Sequence, residues 1–325
     1  MACICFGVAR ADDASAARDL LLASHETSTL AKVMPYEFRA TVTINPGDPN
    51  QKKGQIVIYR DKDRSRSELQ VEDYREVKLT LGNKLYVVRS TPFPVPQLGQ
   101  LHDIDHGWDR YKDDADAKLG DVSKKKVQNT DAECFEVKSE RKHRLCFEPA
   151  HKVLVESLDQ RMAYEFSDYV SLEQQWYPRK ITGLLQMSTR ERPIMVVEGI
   201  QVRKVRFADG VFAPPEHALE FDTCEELKPP RPVKTATPEI SNMVLRKHAD
   251  SPFVNVYGVV DKDGNLENPK VLTTDPDVRE PVLQALKKWH FSPAMCGTTA
   301  VSHEAEFPMG LVDFGGMGAA QTPRK

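Results

Sequence analysis

Six cysteines and one histidine–aspartate cluster are the residues of this chain best suited to chemistry. Cys3 and Cys5 lie near the start; Cys134, Cys146, Cys224 and Cys296 follow. No Cys-x-x-Cys occurs, so zinc-ribbon and thioredoxin-like chemistry have no support. Cys134 and Cys146 flank a hairpin pattern: Cys-Phe-Glu-Val-Lys, then Ser139 to Lys142, then His-Arg-Leu-Cys-Phe. With the turn centred on Glu140, the two cysteines oppose each other across antiparallel strands, where a non-hydrogen-bonded pair can close a disulfide. The alternative is two buried free thiols. Cys224 and Cys296 are the remaining candidates for a second bond.

His102-Asp103-Ile104-Asp105-His106 places two histidines four residues apart, on one face of a helix, as metal sites often do. A solvated acidic helix gives the same pattern more often, so neither metal nor cofactor is expected. There is no G-x-S-x-G, Walker loop or G-x-G-x-x-G, and Gly315-Gly316-Met317-Gly318 lies too near the end to open a phosphate-binding helix. No catalytic residue is assigned. A hydrolase built on scattered carboxylates is the remaining enzymatic alternative.

The 325 residues are 29% charged and 40% hydrophobic, the balance of a globular protein. A net charge of −3 argues against a protein made to grip nucleic acid. No run of about 18 apolar residues appears, so no transmembrane segment is expected. Residues 1–11 combine a short apolar run with Ala9-Arg10-Ala11, a small-residue cleavage pattern, but lack a basic start. They read as the remnant of a signal peptide, hence a periplasmic address, or as an ordinary cytoplasmic N-terminus.

The elements that must position these residues follow from periodicity. Ala11 to Val33 carries Ala17, Leu20, Leu21 and Leu30 at helical spacing and predicts one amphipathic helix. From Tyr36 to about Asp222 the period becomes two, as in Phe38, Ala40, Val42 and Ile44. Turn signals at Gly82-Asn83, Thr182-Gly183 and Asp209-Gly210 separate many short strands. Between Pro92 and Thr130 the alternation fails, and Leu98 to Lys118 is expected to be a helix or lid over the sheet. The prolines of Pro229-Pro230-Arg231-Pro232 predict a stiff linker over 228–240. Beyond it, Asn242 to Lys247 reads as a short helix and Val254 to Val260 as a strand. Asp263-Gly264 makes a hairpin turn, and Val278, Val282, Leu286 and Trp289 line one helix face. Thr299 to Phe307 reads as a last strand. The order is strand, strand, helix, strand.

Two resemblances follow. Val256-x-x-x-Val260-Asp261-Lys262-Asp263-Gly264, with Ala285-Leu286-Lys287-Lys288-Trp289-His290-Phe291-Ser292-Pro293-Ala294, is similar to the C-terminal domain of TonB-type periplasmic proteins. Gly264, Trp289, Phe291 and Pro293 would be its structural residues. The resemblance implies that Thr299, Val301, His303, Ala305 and Phe307 lie on an edge strand that pairs with an extended segment of an outer-membrane receptor or other envelope partner. Pro35-Tyr-Glu-Phe, Gly54-Gln-Ile-Val-Ile-Tyr and Leu81-Gly-Asn-Lys-Leu-Tyr-Val-Val-Arg89 resemble the LolA-like half-barrel domain. That likeness implies a lipid or lipoprotein carrier in which a curved sheet wraps a helix.

The expected architecture is therefore α+β: a large curved antiparallel half-barrel sheet with its helix over 12–227, the linker, a small ββαβ TonB-type domain over 241–312, and a tail over 313–325. The expected work is binding in the periplasm rather than catalysis.

Overall fold

The computed structural model describes residues 12–108, 117–138, 142–159, 162–186, 191–224, 226–248 and 253–311. The signal-peptide remnant, the turn residue Glu140 and the tail over 313–325 lie outside them. The chain forms two compact units. One comprises the residues up to Lys78 with Pro96–Ala213; the other comprises Leu79–Val95 with the residues from Pro214 onward.

Helix α1 (Asp12–Ser28) opens the first unit. Ala17, Leu20, Leu21, Ser24 and Ser28 are buried along one stripe, the spacing that presents a single helical face. The predicted helix to Val33 instead stops at Thr29 and resumes as a 3-10 turn, Leu30–Val33. Thr27 and Ser28 donate their hydroxyls to the carbonyls of Ala23 and Ser24, at 3.0 and 2.5 Å. Such back-bonding competes with the helical ladder, and Met34 ahead of Pro35 must be extended.

Strands β1 (Tyr36–Ile44), β2 (Lys52–Asp61), β3 (Arg64–Val71) and β4 (Tyr74–Leu81) form successive hairpins, and β4 runs on to β5 (Lys84–Arg89) of the second unit. After the segment over 96–106 come β6 (Ser123–Val127), β7 (Thr130–Lys138), β8 (Lys142–Phe147), β9 (Leu154–Asp159), β10 (Met162–Leu172), β11 (Gln175–Gln186) and β12 (Glu191–Lys204). In the first unit the sheet order is β4-β3-β2-β1-β12-β11-β10-β9-β8-β7-β6, all antiparallel where registers are defined. It is a large open sheet, not a closed barrel.

Along β1, Tyr36, Phe38, Ala40, Val42 and Ile44 are buried while Arg39 and Thr41 are exposed, as period-two alternation requires. The register of β1 on β12 shifts between Arg39 and Thr41. Gly199, at φ +64, supplies the left-handed residue of this bulge. Thr182-Gly183, expected as a turn, lies inside β11, with Gly183 opposite Tyr164 and Met195. The helix or lid expected over Leu98–Lys118 is only α2 (Pro96–Gly99) and a 3-10 segment, Gln100–His106, in its described part.

The second unit contains β13 (Leu219–Asp222), paired with β5, then β14 (Leu227–Lys228) and β15 (Arg231–Lys234). It continues through α3 (Asn242–Lys247), β16 (Phe253–Val260), β17 (Leu266–Val271) and α4 (Pro276–Leu286). Last come β18 (His290–Ser292), β19 (Ala294–Cys296), β20 (Thr299–Val301) and β21 (His303–Gly310). Three small sheets result: β17-β16-β21, β14-β19-β20 and β15-β18.

Here the sequence expectations need two corrections. The stretch over 228–240 is no free linker: Leu227–Lys228 pairs with β19 and Arg231–Lys234 with β18. Pro232 is tolerated because, among the described strands, β15 has one partner, β18, and no second ladder asks for its missing N–H. The strand expected from Thr299 to Phe307 is interrupted at Ser302, giving β20 on β19 and β21 on β16.

Val278, Val282, Ala285 and Leu286 of α4 pack with Val256, Val260, Phe291 and Phe307. Asp275 caps α4 by accepting from the Asp277 N–H at 2.9 Å, with Pro276 at the first turn. The helix ends at Leu286, before Trp289. Trp289 stacks on Phe307 at 5.2 Å and donates its indole N–H to Ala236 O at 2.9 Å. Gly264 has φ +84, accepts from Phe291 N at 2.9 Å, and would place a β-carbon 2.0 Å from Phe291 O. Pro293 separates β18 from β19.

Cys134 and Cys146 are directly opposed across β7 and β8, 4.0 Å apart at Cα, and are bonded. Cys224 and Cys296 form the second disulfide, 5.8 Å apart at Cα. Its sequence separation of 72 gives a loop-entropy contribution of about 4 kcal/mol, against about 3 for the separation of 12 in the first. Non-reducing peptide mapping should recover both linked pairs, and replacing Cys224 and Cys296 with serine should lower stability more than the same change at Cys134 and Cys146. Gly264→Ala combines positive φ with a backbone clash, so chemical denaturation should show a loss of more than about 2 kcal/mol. A neutral result would mean that this turn can open away from Phe291.

Candidate ligand-binding site

The 3-10 segment Gln100–His106 lies on β2 and β3, and two buried polar networks hold it there. Tyr36 and Arg60 are cross-strand partners, so their side chains emerge side by side on one face. Both reach Asp105, which is fully buried. Arg60 donates Nε to Oδ2 at 2.7 Å and Nη2 to Oδ1 at 2.9 Å, and Tyr36 donates its hydroxyl to Oδ2 at 2.8 Å. Burial pushes the Asp105 carboxyl up, but the Arg60 and His106 charges, with the hydrogen bonds from Arg60 and Tyr36, hold it below its ordinary range.

The second network centres on His102. Its Nε2 lies 2.9 Å from Glu76 Oε2 and its Nδ1 lies 2.7 Å from Ser67 Oγ. Tyr74 donates to the same Glu76 oxygen at 2.9 Å, and Lys78 Nζ stands 4.0 Å from the other. Burial lowers the affinity of His102 for a second proton, outweighing the Glu76 hydrogen bond, while Lys78 lowers it further. The neutral ring therefore donates from Nε2 to the carboxylate and accepts the Ser67 hydroxyl at Nδ1. Serine, histidine and carboxylate are the parts of a nucleophilic relay. Here Ser67, His102 and Glu76 are 5%, 4% and 1% exposed, which leaves a substrate no approach. The arrangement is an anchor.

The sequence cluster thus resolves differently from a metal pattern. His102 and Asp105 turn inward to separate partners on the sheet, while Asp103 is exposed and reaches Arg60 at 3.2 Å. His106 Nε2 is 3.8 Å from Asp105 Oδ2. Among the described residues no group of three or more His, Cys, Asp or Glu is placed to hold a metal.

Beside this anchored segment lies a cavity of about 230 Å³. Ile104 from the segment and Phe166 and Ile181 from β10 and β11 line it with apolar surface, while Gln100, Asp103, His106 and Tyr164 contribute polar groups. Phe166 and Ile181 are cross-strand partners and both buried. Tyr164 donates its hydroxyl to Gln100 Oε1 at 2.8 Å, tying the segment to β10. Trp108, beyond the segment, stacks near Phe38 and donates to Ser28 O at 3.0 Å, which fixes the end of α1. Of these lining residues Asp103, Ile104 and His106 stood out in sequence as part of the histidine–aspartate cluster; Tyr164, Phe166 and Ile181 carried no signal beyond ordinary strand alternation. The segment itself lies within the stretch from Pro92 to Thr130 where the alternation fails.

The expected edge-strand residues lie in the second unit. Thr299 and Val301 are on β20; His303, Ala305 and Phe307 are on β21. Val301, Ala305 and Phe307 are buried, with Ala305 opposite Gly258 and Phe307 opposite Val256. Among the described strands β21 has one partner, β16. Glu304 receives a two-pronged contact from Arg89, at 2.6 and 2.9 Å, and the Tyr257 hydroxyl. His303 Nδ1 lies 2.8 Å from Glu304 O.

The two networks respond to acid in sequence. His102 binds its second proton less readily when folded, so its stabilising effect is complete above its unfolded pKa of about 6.5 and fades as pH falls below it. Asp105, depressed from its ordinary value, contributes above about 3.9 and loses its effect as pH falls further. The thermal midpoint should therefore drop between about pH 7 and pH 5, and His102→Gln should flatten that part of the profile. Asp105→Ala removes the buried partner of Arg60, whose side chain is 14% exposed, and leaves it the exposed Asp103, so it should cost about 3 kcal/mol at neutral pH. An unchanged midpoint in either variant would show that the segment is held by other contacts.

No family model matches the chain, and no curated protein matches it either. Similar solved structures are LolA-superfamily and DUF1329 folds at low identity. A DUF1329-family protein from Desulfovibrio piger is 12% identical, with 62% of this chain and 98% of that one covered and a TM-score of 0.43. A LolA-superfamily protein from Nitrosomonas europaea is 13% identical, with coverage of 61% and 97% and a TM-score of 0.41.

Proposed function

We propose that this protein is a periplasmic carrier whose first unit shelters an acyl chain of a lipid or lipoprotein beside the segment over 100–106. The observation behind this reading is the cavity itself: Ile104, Phe166 and Ile181 offer apolar walls, and Gln100, Asp103, His106 and Tyr164 offer polar groups to a head group. Binding sites of this kind pair an apolar interior with a few placed polar groups. The two disulfides support an oxidising, extracytoplasmic compartment. The work is binding, and no bond in the ligand is broken.

A second reading belongs to the second unit. Because β21 has one partner strand among those described, its outer edge supports strand addition by a segment of an envelope receptor, as in the TonB-type domains that the sequence resembles. Amide chemical-shift changes confined to 303–310 on titration with an extended receptor peptide would support it, and an unshifted spectrum would end it.

For the carrier reading, native mass spectrometry of protein purified from the cell envelope should show co-purifying lipid. Delipidated protein should enhance the fluorescence of dansyl-labelled undecanoic acid. Ile104→Trp fills the cavity and should weaken that probe by about tenfold or more, which corresponds to about 1.4 kcal/mol. Neither lipid nor probe binding in folded protein would overturn the assignment.

A further inference from the structure

A second cavity, of about 300 Å³, opens along the same strand β10. Val127, Val153, Val155 and Trp176 give it apolar walls, while Glu148 and His151 stand among its polar lining. The His151 ring lies 4.3 Å from that of Trp176. Ser167, Asp168 and Tyr169 also border it. Three consecutive residues of a regular strand cannot all face one way. Here Asp168 adopts φ +57, which breaks the pleat and turns this part of β10 around the cavity.

One residue is common to both linings: Phe166. It is 3% exposed, so its ring is a wall within the protein rather than a surface group. Taken singly, the two cavities sit at or below the lower end of the range of about 300–1,000 Å³ found for ligand pockets. Joined, they fall inside it. We infer that Phe166 is a movable partition between the two cavities, and that turning its ring aside lets one long, single saturated chain run from the Ile104–Ile181 side to the Val155–Trp176 side. Phe166 thereby sets the chain length that the protein accepts. This inference rests on the carrier reading and names the ligand class for it: a single-chain amphiphile too long for either cavity alone. An aromatic side chain suits the role because it occupies a large volume yet has only two side-chain torsions to reset.

The experiment is displacement of dansyl-labelled undecanoic acid from the delipidated full chain by saturated fatty acids from octanoate to stearate. In the wild type, affinity should go on rising past decanoate, by roughly fourfold for each further methylene that is buried. Phe166→Trp enlarges the partition, so affinity should stop rising near decanoate and stearate should weaken at least about tenfold, with octanoate within about twofold of wild type. Phe166→Leu and Phe166→Ala shrink the partition and should strengthen stearate relative to octanoate. Circular dichroism and thermal unfolding establish that each variant is folded, and Phe166→Leu serves if the tryptophan or alanine variant is not. Ile181→Ala, which alters the first cavity only, should change octanoate and stearate by similar factors. If folded Phe166 variants keep the wild-type dependence on chain length while the wild type binds fatty acids, the partition is wrong and the carrier reading stands. If no folded form binds any fatty acid, both fall together.

Discussion

The first unit depends on one ion pair. Asp105 is fully buried and meets the Arg60 guanidinium with two parallel contacts, with Tyr36 as a third donor. A carboxylate taken out of water is costly unless its lone pairs are satisfied. Here the three contacts offset that cost, and they do so at one placement of the segment over 100–106 only. An apolar residue at 105 would permit many placements. The charge therefore contributes less to net stability than to specifying where the backbone of this segment must lie.

Everything beside the candidate site follows from that placement. Fixing Asp105 brings Ile104 against the open sheet beside Phe166 and Ile181, and brings Gln100 within reach of Tyr164. His102, one turn earlier, closes on Ser67 and Glu76. The segment is thus bound to β1, β2, β3 and β4 by polar contacts and to β10 through Tyr164 and Gln100. The cavity lies between the segment and β10 and β11. The far edge of the unit is protected differently. β6 pairs only with β7 among the described strands, and its exposed Lys124, Lys125 and Lys126 discourage pairing with another chain.

In the second unit covalent and aromatic contacts replace the buried charge as the organising constraint. The Cys224–Cys296 bond and the pairing of β14 and β15 hold the proline-rich stretch in register. Trp289, Phe291 and Phe307 form one ring cluster beneath it, and the bare α-carbon of Gly264 admits the Phe291 carbonyl. Arg89 reaches Glu304 across a sequence distance of more than two hundred residues. This contact shows why β5 belongs with this unit although its pattern continues the hairpins before it.

The sequence by itself determined the strand alternation of Phe38, Ala40, Val42 and Ile44, the short helix over 242–247, the apolar stripe of α4, and the opposition of Cys134 and Cys146 across a hairpin. Each is local; that both cysteine pairs are bonded, Cys224–Cys296 across 72 residues included, belongs to the tertiary structure. Tertiary structure decided the rest. Glu173 and Gln174 adopt positive φ between β10 and β11 because a two-residue connection between twisted strands demands it, not because their types favour it. Thr182-Gly183, a turn by composition, stays in a strand because β10 and β12 pair on both sides of it. The prolines over 229–232 became a strand edge because β18 offered an unpaired ladder. His102 and Asp105 read as a solvated acidic helix, and no local signal could say otherwise, since their partners Ser67, Glu76, Tyr36 and Arg60 lie on strands distant in sequence. Side-chain burial across a sheet is a property of pairing register, and register is fixed only when the whole sheet forms.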